Sequence, residues 1–150
     1  MGLFSKERLR EFREREVNAE KTHTIMIVDD EDSNRRTLTN LLSEKYNLIE
    51  AKDGQEALDR IQKMPQPEVI SLIISDQRMP RLTGTELFEK LVPVIPKTVR
   101  IILTGFADKK AIIDAAERGK VYKMVSKPFD RKDFLATVTR AIEVYESKQE

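Results

Sequence analysis

An α/β domain of five successive strand and helix units is the fold the sequence predicts, on three observations. Five short runs rich in Ile and Val are largely apolar rather than strictly alternating, as suits strands covered on both faces of a parallel sheet. Amphipathic segments with helical spacing separate them, and turn or capping residues open most of those segments. Alternation of this kind implies crossover helices packed on a parallel sheet. The length of 150 residues fits one domain of typical size, or one domain with an appendage.

The appendage comes first. Lys6 to Glu20 is an almost unbroken mixture of Arg, Lys and Glu without Gly or Pro, so residues 1–22 are expected to form a charged helix or arm. Leu9 and Phe12 share a face of that helix and make it a candidate interaction element, whereas Val17 falls off the face. Residues 23–150 are then the domain proper. Its first run is Ile25-Met26-Ile27-Val28, followed by a helix marked by Leu38, Leu41 and Leu42. Leu48 to Ala51 is the second run, and Ala57, Leu58 and Ile61 mark the helix after it. Pro65 and Pro67 end that helix before the third run, Val69 to Ile74. Thr83 followed by Glu86 reads as a capping box that opens the third helix, with Leu87, Phe88 and Leu91 on its buried face. Pro93 and Pro96 precede the fourth run, Val99 to Leu103, and Asp108 is placed to cap a helix carrying Ile112, Ile113 and Ala116. The fifth run is Val121 to Val125. Phe134, Leu135, Val138, Ile142 and Tyr145 then stripe a longer helix over 131–148.

Composition removes several functional classes. With 27 basic against 26 acidic residues the net charge is +1, so recognition of nucleic acid by bulk positive charge is not indicated. The absence of cysteine excludes disulfides, thiolate-ligated metals and Cys nucleophiles. No apolar run approaches the length of a membrane span, which makes a cytoplasmic protein without membrane contact the expectation.

Ligands of an open parallel sheet bind beyond the carboxyl ends of its strands. Asp29, Asp30 and Glu31 follow the first run, Asp76 the third, Thr104 the fourth, and Ser126, Lys127 and Pro128 the fifth. The expected fold therefore gathers carboxylates, a hydroxyl and an ammonium at one edge. Close carboxylates raise one another's pKa unless a cation joins them. A hard divalent ion, Mg²⁺ or Mn²⁺, matches such oxygen donors. One carboxylate can then serve as nucleophile toward a phosphoryl group. Asp76 is the better candidate, because it stands alone on a central strand while Asp29 and Asp30 are paired for holding metal.

The stretches Ile27 to Glu31, Ile73 to Pro80, Leu103-Thr104-Gly105 and Lys127-Pro128-Phe129 resemble the receiver domain of bacterial two-component response regulators. The resemblance runs from about Thr24 to about Glu146, with the motifs in order. It implies a flavodoxin-like sheet of order 2-1-3-4-5. It further implies a domain that is not an enzyme in the ordinary sense: Asp76 accepts phosphate from a sensor histidine kinase or a phosphotransfer protein. Mg²⁺ would be held by Asp29, Asp30, Asp76 and the backbone carbonyl of Arg78, while Thr104 and Lys127 stabilise the phosphoryl group. Signalling would follow through protein contacts, including a homodimer through the fourth helix, fifth strand and fifth helix, or through the N-terminal helix.

Two positions depart from the family or tune it. Receivers usually place Tyr or Phe three residues before the Lys-Pro pair, where this chain has Met124; Tyr122 is a candidate substitute at this switch position. Arg78 and Phe106, two residues after Asp76 and Thr104, are expected to tune the phosphoryl lifetime. An alternative reading is a degenerate receiver that acts as a constitutive interaction or dimerisation module. A metal-dependent phosphatase with a nucleophilic Asp would usually carry a second Asp at the position of Arg78.

Overall fold

Strand β1 (Thr24–Val28) opens a computed structural model that describes residues 21–149; the charged segment before it, with Leu9 and Phe12, lies outside the described residues. Strands β2 (Asn47–Ala51), β3 (Ile70–Asp76), β4 (Val99–Gly105) and β5 (Lys123–Lys127) complete one sheet of order β2-β1-β3-β4-β5, every pair parallel. Helices α1 (Asp32–Leu42), α2 (Gly54–Lys63), α3 (Gly84–Leu91), α4 (Ile113–Arg118) and α5 (Arg131–Lys148) alternate with the strands. This is the doubly wound, flavodoxin-like topology that the sequence predicts.

The period of two along β1 sorts the core into two layers. Ile25 and Ile27 meet Leu38, Leu42, Phe134 and Val138 of α1 and α5. Met26 and Val28 meet Ala57, Ile61, Leu87 and Phe88 of α2 and α3 on the opposite face. A strand buried on both faces has no polar side to show, which is why these runs do not alternate in sequence. Phe129 stacks on Phe134 with ring centroids 4.4 Å apart and so belongs to the core.

Capping fixes where the helices begin. Asp53 accepts the Glu56 N–H at 2.7 Å to open α2, and Asp130 accepts the Asp133 N–H at 3.0 Å to open α5. At α3 the capping box is present in full: the Thr83 hydroxyl accepts from the Glu86 N–H, and the Glu86 carboxylate accepts from the Thr83 N–H. Those bonds from Thr83 also hold the Glu86 carboxyl below its ordinary pKa.

Several local expectations are corrected. Val69 ends a 3-10 turn (Pro67–Val69) and is exposed, because Pro67 begins that turn and the strand starts one residue later. Val121 and Tyr122 precede β5: the Val121 N–H donates to the Ala116 carbonyl to close α4, and Tyr122 is 40% exposed. Asp108 does not cap α4. It lies in a 3-10 turn (Phe106–Asp108), a second such turn (Lys110–Ile112) follows, and α4 begins only at Ile113. With Ile112 and Ala116 turned inward one helical turn apart, Ile113 faces outward.

The end of the sheet remote from the strands' carboxyl ends carries its own ties. His23 Nδ1 lies 2.9 Å from Ser71 Oγ, and its Nε2 lies 2.8 Å from Glu146 Oε1, so β3 and the last turn of α5 are joined through one imidazole. Buried Arg100 donates from Nε to the Gly119 carbonyl at 3.0 Å, satisfying backbone at the end of α4. No helix among the described residues is long and apolar enough to cross a membrane.

Candidate functional site

The carboxyl ends of β1, β3, β4 and β5 converge as the topology requires. β3 ends on Asp76, with Asp76 opposite Leu103, and β4 continues through Thr104, which pairs with Ser126 while Gly105 pairs with Lys127. Asp29 follows β1, and its N–H still reaches the Ala51 carbonyl of β2 at 3.2 Å. Carboxylate oxygens of Asp29, Asp30 and Asp76 all lie within 4.8 Å of one another. Asp29 and Asp76 are buried at 1% and 6% exposure, whereas Asp30 faces solvent. The Lys127 ammonium donates to Asp76 Oδ1 at 2.6 Å, the charge-assisted bond that a buried acid needs.

One lysine against three acids leaves the cluster short of positive charge. The strain is visible at Asp29, where burial pushes the carboxyl above its ordinary value. A bond from the Glu31 N–H pulls the other way, and the charges of Asp76 and Asp30 add to the rise. The donor set is carboxylate oxygen only, and this suits Mg²⁺ or Mn²⁺ rather than a soft metal. These acids therefore fit a hard divalent cation.

Thr104 is buried, and its hydroxyl makes one long bond, 3.5 Å, to the carbonyl of Gly105. A bond at that length is weak, so the hydroxyl is free to turn. Met124 pairs with Ile102 in register, is partly buried, and packs against the core layer under α3. It thus shares a sheet face with Thr104, two residues along. Tyr122 precedes β5 and is exposed, and its N–H donates to the Arg100 carbonyl of β4 at 2.7 Å. Arg78 lies at the mouth, its side chain 80% exposed, and donates to Asp108 Oδ1 at 2.8 Å across the gap between the β3–α3 and β4–α4 loops. Phe106 opens the 3-10 turn after β4.

Residues that the sequence motifs do not single out hold Asp76 in place. The Gln77 N–H donates to the Leu103 carbonyl at 3.0 Å, extending the β3–β4 pairing one residue beyond Asp76. Its buried side chain accepts from the Thr85 N–H at 3.0 Å and donates to Thr85 Oγ1 at 3.0 Å, which docks the first turn of α3 on the strand end. Gly84 makes that approach possible, since a Cβ there would sit 2.5 Å from the Asp76 carbonyl oxygen. The Thr83-Gly84 pair before Glu86 is the signal that could have found this seat.

Comparison with known proteins agrees with the geometry. The family model described as "Response regulator receiver domain" matches residues 25–139. The hydrogenase transcriptional regulatory protein HoxA of Cupriavidus necator is 30% identical over 125 residues, covering 83% of this chain and 25% of its own. Histidine kinase P4 of Formosa agariphila is 35% identical over 130 residues, covering 85% of this chain and 9% of that protein. The chain thus spans a quarter or less of the length of these curated relatives. Among solved structures, the signal receiver domain of an HD domain-containing protein from Pseudomonas fluorescens Pf-5 superposes with a TM-score of 0.76 at 31% identity, covering 85% of this chain and 99% of that one. A CheY-like response regulator receiver domain protein from Methanospirillum hungatei gives a TM-score of 0.76 at 24% identity, covering 85% and 99%.

Proposed function

This chain belongs to the response regulator receiver domain family, and from that premise we propose that it is a phosphorylation switch whose acceptor is Asp76. The observation that carries the reading is the Lys127 ammonium 2.6 Å from Asp76 Oδ1, with the carboxylates of Asp29 and Asp30 gathered around the same side chain. A lysine that touches the acceptor before reaction is already placed for the phosphoryl oxygens after it.

Asp29, Asp30 and Asp76, with the backbone carbonyl of Arg78, are the residues that would hold Mg²⁺. Bound there, the ion supplies neutralising charge for the acids and for the incoming phosphoryl oxygens. The donor is a phosphohistidine on a sensor histidine kinase or a phosphotransfer protein. A carboxylate oxygen of Asp76 attacks phosphorus, the phosphorus–nitrogen bond breaks with its electron pair staying on the imidazole, and an acyl phosphate forms on Asp76. Lys127 then pairs with a phosphoryl oxygen, and Thr104 leaves the Gly105 carbonyl to donate to another. Movement of Thr104 opens room toward Met124 on the same face, which a flexible thioether can occupy without an aromatic rotamer change. Arg78 and Phe106, two residues after Asp76 and Thr104, tune the lifetime. The altered α4, β5 and α5 face is where protein partners, or a second copy of the chain, read the state. The domain acts as a signalling element that assists only its own phosphorylation and dephosphorylation, in the cytoplasm and without direct contact with nucleic acid or membrane.

Incubation with Mg²⁺ and a small-molecule phosphodonor such as acetyl phosphate is expected to add one phosphoryl group by intact mass. Asp76→Asn should abolish it. Incorporation that survives the substitution would contradict the assignment. A constitutive interaction module is the second reading, favoured by Met124 in place of the usual aromatic residue; it requires that partner binding be the same with and without phosphodonor.

A further inference from the structure

We propose that Arg35 is a positioning residue for the cation site, holding the backbone of the acidic β1–α1 loop in the shape that lets Asp29 and Asp30 face one ion. The inference rests on the reading of Asp29, Asp30 and Asp76 as cation ligands.

Arg35 lies in the second turn of α1, beside Arg36, and the sequence does not tell the two apart. Their surroundings do. Arg36 is exposed, whereas the side chain of Arg35 is only 15% exposed and its guanidinium reaches three segments. Nη1 donates to the Asp29 carbonyl at 2.5 Å, Nη2 bonds the Asp32 carboxylate, and Nε faces Glu50 Oε1 on β2 at 3.7 Å. Asp29 and Asp32 bracket the loop that carries Asp30 and Glu31, so one planar group ties both ends of the acidic segment and anchors it to the edge strand. Glu50 is itself backed by α2, where Arg60 Nη1 donates to the Glu50 carbonyl at 2.5 Å. The fork geometry matters, because an ammonium cannot serve these diverging acceptors from one point.

Charge alone predicts the opposite effect. A guanidinium beside an acidic cluster repels a divalent cation, so removing it should tighten Mg²⁺ binding if Arg35 acts only through its field. If Arg35 acts by holding the loop, removing it should weaken binding, as loss of groups that orient metal ligands does by about tenfold or more. The sign of the change separates the two.

The test is calorimetric titration of the full chain with Mg²⁺, without phosphodonor. Arg35→Gln is expected to raise the Mg²⁺ dissociation constant about tenfold. Arg35→Lys, which keeps the charge and loses the fork, should raise it by a smaller factor, and it decides the matter if Arg35→Gln does not fold. Arg36→Gln should leave it unchanged or lower it. Unchanged or tighter binding in the Arg35 variants, or an equal weakening in Arg36→Gln, overturns the proposal. Failure of the unaltered chain to bind Mg²⁺ would instead overturn the cation site itself. Mg²⁺ binding without phosphorylation of Asp76 would overturn only the phosphoacceptor reading, leaving the role of Arg35 decided by the titration.

Discussion

Asp29 is the residue at which burial of an acid costs stability. Its carboxyl is buried among like charges and titrates above the ordinary value of 3.8. Between that value and its raised one the folded chain binds more protons than the unfolded chain. Stability therefore falls as pH rises through the window, and the penalty stays in force at neutral pH. Asp29→Asn keeps an oxygen for the Glu31 N–H and removes the charge. In chelator at neutral pH it should melt higher than the unaltered chain and lose part of the stability decline above pH 3.8. If the proposed cation site binds Mg²⁺, the ion should raise the melting temperature of the unaltered chain, since a ligand bound only by the folded state stabilises it, and Asp29→Asn should lose that rise. A variant melting at or below the unaltered chain in chelator would show that Asp29 is not under strain.

At the scale of elements, the seat of α3 on the end of β3 is what holds the backbone of Asp76, the proposed acceptor, in place. The capping box turns the chain at Thr83, the Gln77–Thr85 pair docks the first turn, and Gly84 lets helix and strand touch. A methyl group at residue 84 would meet the Asp76 carbonyl oxygen at 2.5 Å and Ile102 Cδ1 at 2.7 Å, so either α3 or Asp76 must move. Gly84→Ala is expected to cost about 1–3 kcal/mol, read as a lowered denaturant midpoint with unchanged slope, and to slow phosphorylation. Full stability together with a normal rate would mean that the helix seat does not position the acceptor. By contrast α4, with six residues behind two 3-10 turns, is the least regular helix of the domain. The first of those 3-10 turns, not α4 itself, is joined to the β3–α3 loop by the exposed Arg78–Asp108 pair, and an exposed pair of that kind is held weakly.

Over the whole molecule, what could be read from sequence followed from chemistry local in the chain. Apolar runs covered on both faces reveal a parallel sheet, and the polar residues within two positions of the ends of four of the runs mark the edge where Asp29, Asp76, Thr104 and Lys127 meet. Capping boxes are similarly local, and Thr83 with Glu86 was legible. Contacts that depend on helix phase or on strand order were not. Arg35 and Arg36 are neighbours with the same side chain, and only the packing of α1 on β1 and β2 sends one inward. His23 has no partner near it in sequence, yet the sheet order brings Ser71 to one ring nitrogen and the end of α5 brings Glu146 to the other. Asp108 has the spacing of a cap, but two 3-10 turns displace α4 from it and leave its carboxylate for Arg78.

The central claim is that the convergent strand ends make Asp76, and not its acidic neighbours, the phosphoacceptor. Borohydride reduces an aspartyl phosphate to homoserine and leaves a free carboxylate alone, so treating the phosphorylated chain and sequencing its peptides by mass spectrometry reads the position directly. The account predicts homoserine at residue 76 and unaltered aspartate at 29 and 30. Homoserine at 29 or 30, or none anywhere after Mg²⁺ and phosphodonor, would contradict it.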